Sequence, residues 1–369
     1  MKDKINVSMR TPGKLIILGE YAVLEGGFCL VTATNRYANA IFKNSKDGYF
    51  AIQAPAIKVP MLKFFLDETG RVKFIGKPIR EVIEKTSFFS AIFEYAVRKL
   101  LDRGIKIPPL EIFLDTFDFF YTQNLIKLGL GSSAALTVAL VSGLLSANVI
   151  DPEQLSPEFL IQLAMDSHNN AQGVKGSGAD IVTSIYGGTL KYQIKDKEIK
   201  FKQIEFPKDL FYSCVWSGVP SSTKGFVEKF NKYKKEHSSD FKNAIEEMIS
   251  IANTGIEYFE NDNISEFLRY YDQYFKELLK MNGQMNIPVI SDAHSSIYKI
   301  ARNSGAYYKS SGAGGGDLGI VFSDDPSIIK IVNNNLKENG FDILDLKFSS
   351  EGVKNFTAQG GLNEELAYT

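Results

Sequence analysis

The sequence predicts an α+β protein of two domains, and three observations lead there. Its 369 residues suit two domains and leave ample apolar material for a core. The chain changes character near residue 205: β-rich runs bounded by turn residues fall before it, and long helical patterns alternating with strands after it. Glycine-rich loops at 129–135, 173–180 and 307–317 punctuate the pattern and pair glycine with serine and lysine. The expected division is 1–205 and 206–369.

Charge and composition remove several classes of function. With 42 basic and 43 acidic residues the net charge is −1, so no global field favours nucleic acid or an anionic membrane. Any anion site must be local. Cys29 and Cys214 lie in apolar surroundings, which suits a reduced, cytoplasmic protein rather than a disulfide scaffold. Three histidines without clustered Cys/His spacing argue against structural zinc. Residues 1–6 lack the apolar core of a signal peptide, and the longest apolar run, 134–147, is too short to span a bilayer.

In chain order, 5–18 begins a strand system around Thr11-Pro12-Gly13-Lys14, where a strand can aim the Lys14 ammonium into a cleft. Residues 19–27 read as a turn and short helical segment, 28–34 and 37–42 as strands, and 46–80 as short strands with a loop over a cleft. Apolar residues Phe88, Ile92, Tyr95, Ala96 and Leu100 recur at helical spacing over 87–102, and Gly104 stops that helix. A strand at 110–113 follows, and 118–127 links it to the first glycine loop.

Gly129-Leu130-Gly131-Ser132-Ser133-Ala134-Ala135 opens onto a run to Ala147 that is apolar on most sides, the pattern of a buried helix. A glycine turn feeding a helix N-terminus offers free N–H groups and the positive end of a dipole, an arrangement suited to phosphate. Gly129-x-Gly131-x-x-Ala134 also satisfies a loose dinucleotide fingerprint, with Asp151 at the ribose-binding distance. Against it, no clean apolar strand precedes Gly129, and Asp151-Pro152 reads as a helix start. A P-loop pattern is absent.

Ser156-Pro157-Glu158 signals the next helix, with Asp166 and His168 near its end and Gly173 closing it. The second loop, Gly173-Val174-Lys175-Gly176-Ser177-Gly178-Ala179-Asp180, leads through 181–186 and Gly187-Gly188 to strands at 189–194 and 199–204. Beyond 205 come a strand at 211–216 and a donor-rich loop at 217–224. Helices follow at 225–235, 239–261, 264–281 and 291–304, the last bearing His294 as a structural residue. The third loop, a strand at 318–322, a helix at 325–339 and a strand at 341–347 follow, and the polar tail beyond Ser350 is expected to fray.

Taken together, these stretches resemble the GHMP kinase superfamily of small-molecule kinases. Pro12-Gly13-Lys14 with Gly19-Glu20-Tyr21-Ala22-Val23 resembles its first motif, Gly129 to Ala135 its second, and Ser311-Gly312-Ala313-Gly314-Gly315-Gly316-Asp317 its third, in order over nearly the whole chain. Within the superfamily the chain looks most like the phosphomevalonate kinase family. The stretches that carry this are Ala171-Gln172-Gly173, Gly176 to Asp180, Trp216-Ser217-Gly218 with Ser221-Ser222-Thr223, and Lys309-Ser310-Ser311-Gly312.

The resemblance implies a two-domain GHMP kinase fold: an N-terminal domain like ribosomal protein S5 domain 2, and a ferredoxin-like C-terminal domain. It implies ATP and Mg²⁺ in the cleft, with Gly129, Gly131, Ser132, Ser133 and Ala134 around the phosphates and the Ser133 hydroxyl on the metal. Lys14 and Asp180 match the acid–lysine catalytic pair. The reaction implied is phosphorylation of 5-phosphomevalonate, with mevalonate, another small alcohol, or the related decarboxylation as alternatives.

A phosphate monoester has a second pKa of about 6, so its oxygen attacks without a base and needs cations instead. Candidates for acceptor contact are Tyr21, His168, Lys175, Ser177, Arg302, Lys309, Gly312, Gly314 and Gly315. The sequence departs from mevalonate kinases at Asn169, where they carry a metal-binding glutamate. The expected partner is a small-molecule phosphate acceptor, not nucleic acid or membrane.

Overall fold

β1 (Asn6–Leu18) and β2 (Phe28–Asn44) pair antiparallel over most of their lengths in the computed structural model, which describes residues 5–121, 126–147, 157–221 and 223–355. Their register shifts between Pro12 and Gly13, whose partners are Tyr37 and Thr34, so Asn35 and Arg36 bulge from the ladder. That bulge carries one continuous strand through a region expected as two. The segment 46–80 contributes β3 (Phe50–Ala54), β4 (Val59–Leu66) and β5 (Val72–Phe74) to the same sheet.

The helix α1 (Arg80–Leu101) begins well before the expected residue 87. Its added turns are polar and carry the i,i+4 pairs Arg80–Glu84 and Glu81–Lys85, which an apolar periodicity cannot register. There follow β6 (Leu110–Asp115), β7 (Phe120–Tyr121), β8 (Ile126–Lys127), α2 (Ser132–Ala147), α3 (Pro157–Gln172), α4 (Ala179–Tyr186), β9 (Thr189–Lys195) and β10 (Glu198–Ile204). The main sheet runs β10-β9-β2-β6-β3-β4-β5, with β1 also on β2. Asp151, Pro152 and Ser156 lie outside the described residues.

As its sequence predicts, α2 is buried on nearly every side, packed on β1 and β2 and flanked by α3 and α4. Gly143 is required there: a Cβ would lie 1.9 Å from the ring of Phe42 on β2.

The second half comprises β11 (Phe211–Trp216), α5 (Thr223–Glu236), α6 (Ser238–Glu260), α7 (Ile264–Gln284), α8 (Asp292–Asn303), β12 (Tyr307–Ser310), β13 (Leu318–Ser323), α9 (Pro326–Glu338) and β14 (Asp342–Leu344). Its sheet is four-stranded and antiparallel, ordered β12-β13-β11-β14, and is packed by α7, α8 and α9. One apolar cluster is continuous from Leu15, Leu18 and Leu30 of the first sheet to Phe267, Tyr271 and Phe322 of the second half. The cleft between the halves is therefore floored by shared core.

The tail corrects the expectation of fraying as far as Asn355. Ser349 N–H donates to Ala33 O, Ser349 O accepts from Gly188 N–H, and β15 (Lys354–Asn355) pairs with β1. Gly187 admits this passage, since a Cβ there would lie 2.2 Å from the Glu351 carbonyl carbon. Residues 356–369 lie outside the described part. Among the described residues no helix is long and apolar enough to cross a membrane.

Candidate active site

Gly13 lies so close to the first glycine loop that a Cβ would sit 2.6 Å from Leu130 O, and Lys14 N–H donates to that carbonyl at 2.8 Å. The Lys14 stem runs over Gly131, where an added Cβ would meet Lys14 Cγ at 3.1 Å. Gly129 and Gly131 take φ of 71° and 74°, the left-handed geometry that favours glycine. The first turn of α2 therefore begins at Ser132, as expected, with Lys14 across its mouth. Ala134 is fully buried and has only its backbone to offer a ligand.

The second loop returns to the same point. Gly178, at φ 78°, precedes α4 and leaves room for Met165, and Asp180 stands in that helix's first turn with Oδ1 accepting from Ile181 N–H at 2.9 Å. Ser184 Oγ donates to Pro12 O at 2.9 Å, which pins α4, and with it Asp180, to β1 beside Lys14. The loop is held by Tyr192 OH on Ser177 O at 2.6 Å and by Gly176 N–H on Asn169 Oδ1 at 3.1 Å. Asn169 thus spends its side-chain oxygen on the loop backbone.

The third loop is stitched to β1. Ser311 Oγ donates to Ile16 O and accepts from Ile16 N–H, both at 2.9 Å, and Tyr21 OH donates to Ala313 O at 2.6 Å. Burial pushes the Tyr21 phenol up, so it stays a neutral donor. Gly314 and Gly315 do not line the cavity; their missing side chains leave room for Val289 O at 2.3 Å and the Phe226 ring at 2.3 Å. Asp317 closes the loop against Gly129.

The second and third loops, with β1 and the turn after it, enclose one cavity lined by Lys14, Asp180, Tyr21, His168, Ser177 and Gly312; residues 129–135 are not in its lining. A second cavity, on the far side of Ser132 and Ser133, is lined by Lys85, Thr86, Phe88 and Lys127. His168 Nε2 lies 3.2 Å from Ser133 Oγ, so this pair stands between the two cavities.

Two expected acceptor contacts belong elsewhere. Arg302 lies over the Tyr307 ring and 3.6 Å from Asp272 Oδ1, outside the cavity lining. Lys309 is fully buried, its ammonium on Glu20 and on Ser310 O, and burial lowers its pKa. Lys175 is exposed and absent from the lining, next to Gly176, which is part of it.

Sequence reasoning missed Glu20. It is 2 % exposed and lines the cavity, and among the described residues its Oε2 has no hydrogen-bond partner. The signal available was an acid inside an apolar stretch, at a position quoted only as part of a motif. The second cavity was also missed, because Lys85 and Thr86 precede the expected helix start and Phe88 was read as part of its core face.

Comparison with known proteins bears on the family and the fold. Residues 92–188 match the family model described as the GHMP kinases N terminal domain. The chain is 25 % identical over 341 residues to the phosphomevalonate kinase of Streptomyces sp. (strain CL190), covering 85 % of this chain and 88 % of that one. Mevalonate kinases are among the other relatives. The crystal structure of the Lin0012 protein from Listeria innocua superposes with a TM-score of 0.83 at 25 % identity, covering 95 % of this chain and 99 % of that one. A Streptococcus pneumoniae phosphomevalonate kinase, in complex with phosphomevalonate and AMPPNP, superposes with a TM-score of 0.75 at 19 % identity, over 92 % and 99 % of the two chains.

Proposed function

From a chain that carries the GHMP kinase fold and N-terminal domain, we propose an ATP-dependent phosphotransferase that phosphorylates 5-phosphomevalonate to 5-diphosphomevalonate. The observation that carries this reading is the meeting of the loops: Lys14 N–H on Leu130 O, and Ser311 Oγ on both polar groups of Ile16. Two of the glycine bends thereby share one cavity with an acid and a lysine, and the phosphate loop lies against that lysine.

ATP fits the phosphate loop through the free N–H groups at the start of α2, from Gly131 to Ala134, where the helix dipole favours anions. The cavity beside Phe88 and Thr86 takes the base. For Mg²⁺ the donor chemistry is sparse but adequate. Among the described residues there is no cluster of three or more His, Cys, Asp or Glu, and Ser133 offers a hydroxyl oxygen. That suits an ion arriving on the triphosphate, since Mg²⁺ keeps its waters and binds through phosphates with few protein ligands. When bound, it neutralises phosphate charge.

The transition state of phosphoryl transfer is loose and highly charged, so the chain's own residues position groups and balance charge. Lys14 faces both loops and attracts the transferred group. With a phosphate acceptor already anionic at neutral pH, Asp180 orients Lys14 and the acceptor rather than removing a proton. His168 and the loop backbone at Ser177 and Gly312 meet the acceptor from the cavity wall, and Lys175 approaches from its rim. Residues 1–205 form the nucleotide domain in this reading and 206–369 the second domain, whose tail returns to the first sheet. A cytoplasmic setting keeps the buried Cys29 and Cys214 reduced.

The test is ADP release measured with phosphomevalonate and with mevalonate as acceptors. Turnover with the phosphorylated acceptor is expected. Activity with mevalonate alone overturns the acceptor assignment, carbon dioxide release identifies a decarboxylase, and silence with every acceptor overturns the kinase reading. Asp180→Ala separates the roles of the acid: a loss of several orders of magnitude marks a base, a modest loss the electrostatic role.

A further inference from the structure

Val227 on α5 is an apolar side chain with no apolar setting of its own. It is half-buried and lines the cavity that holds Lys14 and Asp180, and among the described residues it belongs to none of the three apolar clusters of the core. Its neighbours on the helix do have partners. The Phe226 ring fills the space beside Gly315, 2.3 Å from an added Cβ. Phe230 is fully buried, its ring 5.1 Å from those of Tyr21 and Phe241. Lys234 Nζ reaches both Glu25 oxygens at 2.7 Å.

Phe226, Phe230 and Lys234 recur at every fourth position, so one stripe of α5 is pinned. It is held to the third glycine loop at one end and to Tyr21 and the short helical turn Ala22–Glu25 at the other. Both of those segments line the cavity, through Gly312 and Ala313 on one side and Val23 and Leu24 on the other. α5 therefore bridges the two halves of the chain at the cavity, with Val227 fixed beside the pinned stripe.

The rest of the apolar lining is contiguous: Val23, Met165 and Ile181 are members of one core cluster, and Leu24 packs against it. An aliphatic chain can face these groups freely. A ring bearing many hydroxyls would leave some of them without partners there, and an unpaired polar group taken out of water weakens binding. Lys14, Asp180 and His168 remain for the charged and hydroxyl groups of the acceptor.

We propose that Val227 is a specificity-determining residue for the acceptor: held by the pinned stripe of α5, it packs on the acceptor's aliphatic part and completes a wall that disfavours polyhydroxylated acceptors such as sugars. The proposal rests on the kinase reading above and names the class of acceptor that the cavity takes, a sparsely hydroxylated aliphatic chain with an anionic end. Val227 is absent from the lining of the second cavity, so the nucleotide does not depend on it.

The experiment compares wild type, Val227→Ala and Val227→Phe by steady-state kinetics with phosphomevalonate and ATP varied in turn, and by thermal unfolding with each substrate alone. Alanine removes the contact, and phenylalanine fills space that the acceptor needs. Both variants are expected to raise KM for phosphomevalonate about five-fold or more, with KM for ATP within about two-fold of wild type. Thermal protection by phosphomevalonate should weaken in both, and protection by ATP should match wild type.

A KM for phosphomevalonate within about two-fold of wild type in Val227→Ala overturns the proposal. So does an equal rise in both KM values with a lower melting temperature, the pattern of a residue that only supports α5. If the phenylalanine variant does not fold, the alanine arm decides alone. If the wild type uses mevalonate instead, the acceptor assignment falls, and the same rise is expected for that acceptor. A wild type silent with every acceptor sinks the kinase reading itself, a result seen before any variant is compared.

Discussion

The Lys309 ammonium and the Glu20 carboxylate form an ion pair that solvent barely reaches, with relative exposures of 0 % and 2 %. Lys309 comes from β12 of the second sheet and Glu20 from the turn after β1, so the pair bolts the two halves together beneath the cavity. Glu20 Oε1 also lies 3.4 Å from Gly312 N, and Tyr274 OH donates to Glu20 O. Breaking a buried pair by removing one partner leaves the other charge without compensation, at about 3–5 kcal/mol. Lys309→Met and Glu20→Gln should each lose stability of that order in urea unfolding. The double variant should lose much less than the sum, and an additive double would show that the two charges are not coupled.

That pair marks where sequence reading stops. The three glycine loops and the start of α2 are local features, written in consecutive residues, and were legible as such. Asp180 was legible because it ends such a loop, and Lys14 because it follows the Pro12-Gly13 bend; both line one cavity. Arg302 was chosen for its charge and Lys309 for its charge within the third glycine loop, and neither reveals its partner. The Lys309 ammonium is taken by Glu20, 289 positions away, and Arg302 turns to Asp272 and Tyr307. The returning tail was unreadable for a similar reason: its polar residues are satisfied by Ala33 and Gly188, far off in sequence.

Gly129 is expected to be the least replaceable glycine of the phosphate loop. Alanine there would keep a left-handed φ of 71° and drive its methyl to 2.3 Å from Asp317 Oδ2. The backbone penalty alone is about 1–2 kcal/mol, and the clash forces either the loop or Asp317 to move. Gly129→Ala should raise KM for ATP roughly ten-fold and leave KM for the acceptor within about two-fold. Gly104 is the control: its φ is 77° but open space surrounds it, so alanine there should cost stability without touching either KM. Equal kinetics for the two variants would contradict the contact with Asp317.

His294 should make stability depend on acid. It is fully buried, and burial lowers its pKa from 6.5 to about 4. Between those values the unfolded chain binds a proton that the folded chain refuses, so stability rises with pH across that window. The contribution is complete above about pH 6.5 and is lost as pH falls towards 4, about 3 kcal/mol in all. Urea unfolding from pH 4.5 to 7.5 reads this as a slope. His294→Gln should flatten it, and a slope equal to wild type would assign the acid sensitivity to other groups.

His168 is the remaining candidate whose placement divides its possible roles. Its ring lines the acceptor cavity, its Nε2 reaches Ser133 Oγ at 3.2 Å on the nucleotide side, and the Phe88 ring meets it edge-on at 6.1 Å. A side chain that only oriented Ser133 would affect ATP and leave the acceptor alone. One that only touched the acceptor would do the reverse. Because the imidazole fills the partition between the cavities, His168→Ala should raise both KM values several-fold, while Ser133→Ala should weaken ATP alone. Steady-state kinetics with each substrate varied in turn separate these patterns. A rise confined to ATP in both variants would remove His168 from the acceptor side and leave the acceptor to Lys14, the only lysine or arginine in the cavity lining among the described residues.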